Sequence, residues 1–283
     1  MRPGDAAAAG RADCPVEPVD IVVTVGQWTD LVTTVAGACG HVTTIVGRSA
    51  ADPHEFEPAT SDAARFTDAD LVVANGLGYD DWAEHVLDTM SPAPPVVDAG
   101  EVVGLHEGDN PHIWYGPRFL DQVADAVTAE LRALSPGAAD YLDARRAEWT
   151  ARVEPIHAAV AAMRAGAAGR RFAATEPVFD HMADALGLVD RTPAGYAAAT
   201  ANEADPSPGD VYALGEELST HAVDVLVFNS QTESTLADSA RSRAVASSVP
   251  VVEVTETVPA GVDGFVAWQV GQLDSLAGAL GLR

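Results

Sequence analysis

Two short motifs in the first half of the chain each place a histidine directly after a proline. They are Asp52-Pro53-His54 and Asn110-Pro111-His112, and each follows a predicted strand or loop. Because proline fixes its own φ and restricts the preceding residue, the backbone that leads to each imidazole is stiff. A preset imidazole suits a metal site, since ordering a flexible ligand would lower affinity. Either motif alone is also ordinary turn chemistry with an exposed histidine, but the pair favours metal binding.

Acidic residues in the second half could complete such a site. Glu176 follows a predicted strand and precedes Pro177, which suits the first turn of a helix. Glu176 should therefore project from the carboxyl end of a strand, where open α/β sheets bind their ligands. Asp263 stands just before the last predicted helix, where taken alone it is better explained as an N-cap.

The elements that must position these residues alternate between strands and helices. Short β-branched runs mark the predicted strands, at residues 20–25, 41–46, 70–75, 95–97, 171–174, 223–228 and 251–254. Near-continuous apolar strands that alternate with helices predict parallel sheets covered on both faces. The pattern occurs once in each half of the chain. We therefore predict an α/β fold with two Rossmann-like lobes.

One long helix is predicted between the lobes. Its apolar positions, spaced 7, 4, 3, 4 and 3 residues apart along one helical face, are Leu142, Trp149, Val153, Ile156, Val160 and Met163. A helix of this length would run about 40 Å and join the lobes rigidly, which leaves the metal site in the cleft between them. The predicted division is a flexible leader at 1–18, an N-terminal lobe at 19–135, the linking helix at 136–168 and a C-terminal lobe at 169–283.

Composition narrows the classes of partner. The 42 acidic and 16 basic side chains, all of the latter arginine, give a formal net charge of −26. Such a surface repels nucleic acids and anionic lipids and attracts cations, although acidity can also serve solubility alone. No apolar run approaches the roughly 20 residues of a membrane span, and no signal peptide is visible. Cys14 and Cys39 could form a disulfide, which would suit an oxidising compartment, or remain as two thiols.

Several of these residues together resemble a known family. The stretch 52–58, then Ser61-Asp62, then 69–79, is similar in residues and spacing to the metal-binding receptors of bacterial ABC importers for zinc and manganese. Residues 110–114 resemble the second histidine motif of that family. The resemblance covers nearly the whole chain from Val19, including the linking helix and the last helix.

The resemblance implies a metal site with two ligands from each lobe. His54 and His112 match the first two positions, and Glu176 matches a third position that is histidine in many zinc receptors and glutamate in many manganese receptors. Asp263 is the match for the fourth position, with Glu233 as the reserve candidate. The transported ion would be Zn²⁺ or Mn²⁺, and the ligand types leave that choice open.

The resemblance also implies a role outside the cytoplasm. The chain would be an extracytoplasmic monomer that binds a divalent metal ion and delivers it to a cognate ABC permease. It would bind no nucleic acid and would not be an enzyme. One alternative is a metal-dependent hydrolase, but both His-Glu-x-x-His and Gly-x-Ser-x-Gly are absent from the sequence. A second alternative is a two-lobe receptor for a siderophore or haem, which would need a more basic or aromatic cleft.

Overall fold

Two four-stranded parallel sheets form the centres of two α/β lobes in a computed structural model of the chain, which describes residues 13–47, 56, 58–232 and 234–282. The strands of the first lobe are β1 (Val19–Val25), β2 (Gly40–Val46), β3 (Leu71–Ala74) and β4 (Val96–Asp98). Those of the second lobe are β5 (Arg171–Ala174), β6 (Val189–Asp190), β7 (Val225–Asn229) and β8 (Val251–Val254). The predicted fold of two parallel-sheet lobes is confirmed.

The two sheets share one strand order. It is β2-β1-β3-β4 in the first lobe and β6-β5-β7-β8 in the second. The first strand of each lobe therefore lies between the second and the third. The second strand of the lobe pairs with one edge of the first strand, and the third strand pairs with its opposite edge. Ligands of open α/β sheets bind beyond the carboxyl ends of the strands at such a switch point. Each lobe thus offers one binding edge.

Burial explains why these segments form strands. β3 and β7 are buried at every residue, and β1 is buried from Ile21 to Val25. Continuous burial, in place of an alternation of buried and exposed residues, is typical of parallel strands covered by helices on both faces.

Helices cover both sheets. Those of the first lobe are α1 (Thr29–Ala36), α2 (Thr60–Arg65), α3 (Asp81–Leu87), α4 (Ala99–Val102) and α5 (Pro117–Leu134). After the long α6 (Ala139–Ala167), the second lobe contains α7 (Asp180–Leu186), α8 (Ala194–Thr200), α9 (Pro208–Ser219), α10 (Thr235–Ala246) and α11 (Gly264–Ala279). Among the helices in the described ranges, none is both long and apolar enough to cross a membrane.

The long helix α6 links the lobes, as predicted. It runs for 29 residues and continues through Pro155. It packs against α1 and α5 of the first lobe and against α7 and α11 of the second. The ring of Trp149, which is 1% exposed, lies 6.3 Å from the ring of Phe265 in α11. The helix therefore supports both lobes along its length.

The hydrophobic core is continuous between the lobes. Buried side chains of both sheets and of α6 belong to one cluster. At the lobe boundary the ring of Tyr115 lies 5.4 Å from that of Phe179 and 5.6 Å from that of Trp268. The Tyr115 hydroxyl donates a hydrogen bond to the carbonyl oxygen of Thr255 at 2.6 Å. A large apolar boundary of this kind opposes wide movement of one lobe relative to the other.

A carboxylate of the first lobe caps a helix of the second. Asp30 in α1 accepts a hydrogen bond from the backbone N–H of Phe265 at 2.7 Å, at the N-terminus of α11. Gly264 makes this approach possible, because its φ is +83° and a Cβ there would lie 2.7 Å from Asp30 Oδ2. Asp263 holds the N-cap position, but its side chain forms no capping hydrogen bond.

A disulfide joins Cys14 to Cys39. Cys39 ends the short 3₁₀ turn after α1, so the bond attaches the chain before β1 to the first lobe. Val16 also packs against the main core. Residues 13–18 of the predicted flexible leader therefore lie on the first lobe.

Candidate metal centre

A cavity of about 640 Å³ lies where the carboxyl ends of the two sheets face each other. His112 lines it from the first lobe, and Glu176, Asp180 and Glu256 line it from the second. Glu176 comes two residues after β5, and Glu256 comes two residues after β8. The fold thus brings together an imidazole and three carboxylates that lie up to 144 positions apart in the sequence, from 112 to 256.

The ring of His112 has a fixed orientation. The side-chain oxygen of Asn110 lies 2.7 Å from His112 Nδ1 and accepts a hydrogen bond from the His112 backbone N–H at 3.0 Å. An amide oxygen only accepts hydrogen bonds, so the network assigns the hydrogen of the neutral ring to Nδ1. The lone pair is then on Nε2, which lies 3.6 Å from Glu256 Oε2. This is the tautomer that a metal-binding imidazole needs.

Asn110 also connects the two lobes. Its side-chain N–H donates to the carbonyl oxygen of Pro177, the residue after Glu176, at 2.6 Å. Its own carbonyl oxygen lies 2.9 Å from Nε2 of His181 in α7. Burial lowers the pKa of His181, so that ring is neutral and donates through Nε2. The residue before the Pro-His pair therefore fixes both the imidazole and its distance from the opposite lobe.

The segment 69–79, which is part of the family resemblance, is hydrogen-bonded to the loop that carries His112. Asn75 follows β3 and donates a side-chain hydrogen bond to the carbonyl oxygen of Pro111 at 3.0 Å. The buried Asp80 accepts hydrogen bonds from the backbone N–H groups of Asn75 and Gly76 at 2.7 and 2.8 Å. The Thr24 hydroxyl donates to the same carboxylate at 2.5 Å. These residues hold the loop that carries the imidazole and do not line the cavity themselves.

Glu176 is a partly buried carboxylate with two donors on one oxygen. Its Oε2 accepts hydrogen bonds from Asn229 Nδ2 at 2.5 Å and from the Thr232 hydroxyl at 2.9 Å. Burial raises the pKa of Glu176 above its ordinary value, and the nearby charge of Glu256 raises it further. The two hydrogen bonds act in the opposite direction. A bound cation would favour the ionised form.

Glu256 lies in the cavity and was not among the predicted site residues. It is 4% exposed, and its Oε1 accepts a hydrogen bond from Asn229 Nδ2 at 3.0 Å. Its Oε2 accepts one from the hydroxyl of Tyr79, in the first lobe, at 3.1 Å. Gln27, also in the first lobe, donates to the Glu256 carbonyl oxygen at 3.0 Å. A buried carboxylate held from both lobes beside an imidazole is a candidate metal ligand.

The sequence did contain a signal for Glu256. The dipeptide Thr175-Glu176 comes directly after the last residue of β5, and Thr255-Glu256 comes directly after the last residue of β8. Because the carboxyl ends of parallel strands meet at one edge of a sheet, two such dipeptides in one lobe place their glutamates on the same side.

The other predicted site residues lie apart from this group or outside the described residues. Asp263 is exposed at the start of α11 and is not among the residues that line the cavity. His54 and Glu233 lie outside the described residues. Taken alone, the described part of the chain contains no group of three His, Cys, Asp or Glu side chains close enough to hold a metal ion.

The charge of the cavity favours a cation. The described residues that line it include no arginine, and its acidic members are Asp109, Glu176, Asp180, Glu203, Asp205 and Glu256. Burial raises the pKa of Asp180 to about 7, and the charge of Asp190 contributes to the increase. The charge of Glu256 likewise raises the pKa of Glu176, so ionised carboxylates within the cavity destabilise one another, and a divalent cation would relieve that repulsion.

The Asp180→Asn variant is expected to be more stable than the unsubstituted protein at pH 8 when metal is removed by a chelator. The native pKa of about 7 exceeds the ordinary 3.8, so the native state binds more protons than the unfolded state between these values. The free energy of unfolding therefore falls as pH rises toward 7, and asparagine removes this loss. The gain should be on the order of 1–3 kcal/mol after discounting for partial exposure.

Urea unfolding at pH 5, 6, 7 and 8 measures this difference. The advantage of Asp180→Asn should grow up to pH 7 and then level off. Asp238→Asn, at an exposed position in the first turn of α10, is the control and should show no such growth. A pH-independent difference for Asp180→Asn would contradict the interpretation.

Comparison with known proteins decides the family. Residues 21–279 match the family described as "ZnuA: Zinc-uptake complex component A periplasmic". The chain belongs to the ZnuA family. The high-affinity zinc uptake system protein ZnuA of Bacillus subtilis (strain 168) is 22% identical over 258 residues, which are 84% of this chain and 79% of that protein. The predicted family is thereby confirmed.

Solved structures confirm the ZnuA-type fold. The structure of the substrate-binding protein FpvC of Pseudomonas aeruginosa in complex with Mn²⁺ has a TM-score of 0.78 at 22% identity. The matched region includes 94% of this chain and 99% of the FpvC chain. The periplasmic zinc-binding protein TroA of Treponema pallidum has a TM-score of 0.76 at 20% identity, with 93% and 99% covered. As a ZnuA-family member, the chain is a metal-binding transport receptor and not an enzyme, so the hydrolase alternative is set aside.

Proposed function

We propose that this chain captures one divalent metal ion in the cavity between its lobes and delivers it to the permease of an ABC importer. The observation that carries the proposal is the pair formed by His112 Nε2 and Glu256 Oε2, 3.6 Å apart at the lobe boundary. Membership of the ZnuA family and the names of zinc-uptake relatives support the same function. The receptor would act outside the cytoplasm, where such relatives are described as periplasmic.

The distance between the two atoms fits a shared ion. Zinc binds imidazole nitrogen at about 2.0–2.1 Å and carboxylate oxygen at about 2.0–2.2 Å, so a tetrahedral edge measures about 3.4 Å. The measured 3.6 Å is close to that edge. An ion between His112 and Glu256 would therefore need only a small adjustment of either side chain.

We propose His112, Glu176 and Glu256 as three of the ligands, with His54 as the fourth. Glu256 replaces Asp263 in this assignment because it is buried in the cavity, whereas Asp263 is exposed at the helix start. His54 is assigned from its Pro-His motif and from the family resemblance. Four protein ligands make a closed site that holds an ion, unlike a catalytic site, which keeps a position open for water.

We propose zinc as the ion bound in preference to manganese. With imidazole and carboxylate ligands, the intrinsic order of affinities favours Zn²⁺ over Mn²⁺ unless the site enforces a higher coordination number. Zinc appears in the names of the Bacillus subtilis and Treponema pallidum relatives, while FpvC was solved with Mn²⁺. The continuous core and α6 favour release through a local rearrangement of the cavity, since they oppose wide lobe opening.

Metal loading of the purified protein tests the proposed function. The chain, stripped with a chelator and then incubated with excess zinc, is expected to retain one zinc ion per chain through gel filtration, as measured by elemental analysis. Screens with ester and phosphate substrates should show no zinc-dependent turnover. Loss of all metal on gel filtration, or metal-dependent hydrolysis, would overturn the proposal.

A further inference from the structure

The backbone that carries Glu256 is held by side chains. Residues 255–257 follow the last residue of β8 and are not part of the sheet. Polar backbone groups away from water need partners, and each of the six N–H and C=O groups of this segment is paired with a side chain. The partners are the side chains of Gln27, Tyr115, Gln231, Thr255 and Gln272. The direction of the Glu256 side chain therefore depends on these contacts.

Gln231 supplies two of the six contacts through one atom. Its Oε1 accepts hydrogen bonds from the backbone N–H of Glu256 at 2.5 Å and from that of Thr257 at 2.9 Å. Its Nε2 donates to the Thr257 hydroxyl at 2.6 Å. A flipped amide would place its NH₂ group against two N–H donors, so these contacts assign the amide orientation. One side chain thus holds the two peptide units on either side of the Glu256 Cα.

Gln231 reaches this segment because of the register between β7 and β8. Asn229 pairs with Val254 at the end of the two strands, and the backbone N–H of Ser230 still donates to the Val254 carbonyl oxygen at 3.0 Å. Beyond that point the side-chain amide of Gln231 takes the place of a neighbouring strand. Gln231 is exposed and is not among the described residues that line the cavity, so it can affect the cavity only through the residues it holds.

We propose that Gln231 is a positioning residue that aims the Glu256 carboxylate at His112 and so maintains the metal affinity of the site. Glu256 Oε2 lies 3.6 Å from His112 Nε2. A metal–ligand distance tolerates a deviation of only about 0.2 Å, so a small rotation of the peptide units beside Glu256 would weaken binding. The inference rests on the proposed function, because it takes Glu256 as a ligand.

The Gln231→Met variant tests the proposal. Methionine keeps the length of the side chain, but its sulfur is too weak an acceptor to hold the two N–H groups. Zinc affinity should fall by about 10–100-fold, the effect of removing a group that orients a ligand. Competition titrations of the full chain with a chromogenic chelator measure the affinity, and thermal unfolding in the presence of a chelator checks the fold. Gln231→Asn, one methylene too short for both contacts, should show a similar loss and replaces Gln231→Met if that variant does not fold.

Two comparisons separate positioning from general support. Gln231→Glu keeps an acceptor oxygen for both N–H groups. At about 1 M salt, where a new charge is screened beyond about 3 Å, its zinc affinity should stay within about threefold of that of the unsubstituted protein. In the Glu256→Gln background, Gln231→Met should cause a further loss of less than about threefold, because Gln231 acts through the Glu256 carboxylate. Gln122→Met, at an exposed position of α5, is the matched control and should bind zinc normally.

The outcomes are distinct. A loss in Gln231→Met that is absent from Gln231→Glu and that nearly disappears in the Glu256→Gln background supports the proposal. Normal zinc affinity in Gln231→Met, a loss that Gln231→Glu shares, or equal losses in both backgrounds would overturn it and leave the proposed function intact. Absence of zinc binding by the unsubstituted chain, or full affinity in Glu256→Gln alone, would overturn both this proposal and the proposed role of Glu256.

Discussion

The His112→Ala variant is expected to bind zinc at least about 100-fold more weakly than the unsubstituted protein, since removing a group that merely orients a ligand already costs 10–100-fold. His112 is the imidazole that the described part of the chain places in the cavity, and its Nε2 faces Glu256. Its tautomer is fixed by Asn110, so the neutral ring carries its lone pair on Nε2, the atom that faces Glu256. Alanine removes that nitrogen and leaves a net acidic cavity with one ligand fewer.

A competition titration with a chromogenic chelator at pH 7.5 measures this loss. Because His112 is buried among aromatic rings, with Trp114 5.3 Å away, His112→Gln is included as a variant that keeps more of the side-chain volume. Thermal unfolding in the presence of a chelator checks that both variants fold. His85→Ala, at an exposed position of α3, is the control and should bind zinc normally. Zinc affinity that survives in both His112 variants would refute the assignment.

The Glu256→Gln variant is expected to lose zinc affinity by a similar factor, at least about 100-fold, because it removes a charged ligand from a buried site. Glutamine keeps the side-chain length; its oxygen can accept the hydrogen bond from Asn229 and its NH₂ group can donate to the Tyr79 hydroxyl, so the fold should be retained. The neutral amide oxygen is a much weaker zinc ligand than a carboxylate. The loss should therefore come from the ion and not from the protein structure.

Asp263→Asn provides the matched comparison for this variant. Asp263 is exposed, and its side chain caps no helix. The zinc affinity of the Asp263→Asn variant should therefore stay within about threefold of that of the unsubstituted protein, whereas loss of a residue that supports a ligand costs about 10–100-fold. Isothermal titration of the chelator-stripped proteins measures both. The reverse result, loss in Asp263→Asn and none in Glu256→Gln, would return Asp263 to the ligand set in place of Glu256.

The strand and helix pattern of the sequence was sufficient to predict the two lobes and the helix between them. Continuous apolar runs such as Ile21–Val25 have few alternatives to a buried parallel strand, and the stripe around Trp149 has the spacing of one helical face. Local periodicity carries this information because each element buries its own apolar face. The order of strands in each sheet required the structure, since it depends on contacts between distant segments.

The candidate site was only partly predictable for the same reason. His112 and Glu176 sit beside prolines, and both residues line the cavity, Glu176 just after β5 and His112 in the loop between α4 and α5. Glu256 has no proline beside it, and its relation to Glu176 appears only when the two Thr-Glu dipeptides are seen to follow strands of one sheet. Asp263 was favoured because it precedes a helix, yet Asp30 of the other lobe caps that helix. Sequence spacing cannot show a contact across 235 positions.

The roles of the residues that support the site could not be predicted from the sequence. The segment 69–79 could be identified as part of a family signature, but the separate tasks of its members emerge only from long-range contacts. Asn75 holds the carbonyl of Pro111, and Tyr79 holds the carboxylate of Glu256. Similarly, the pairing of Cys14 with Cys39 follows from their positions in the fold, since two cysteines in a sequence leave both the bonded and the free state open.

A crystal structure of the zinc-loaded protein, with anomalous scattering measured on both sides of the zinc absorption edge, would locate the ion and its ligands. We expect one zinc ion between the lobes, bound by His112 Nε2, by Glu176, Glu256 and His54, with zinc–nitrogen distances of about 2.0–2.1 Å. An anomalous peak that lies at Asp263, or anywhere out of reach of both His112 and Glu256, would contradict it.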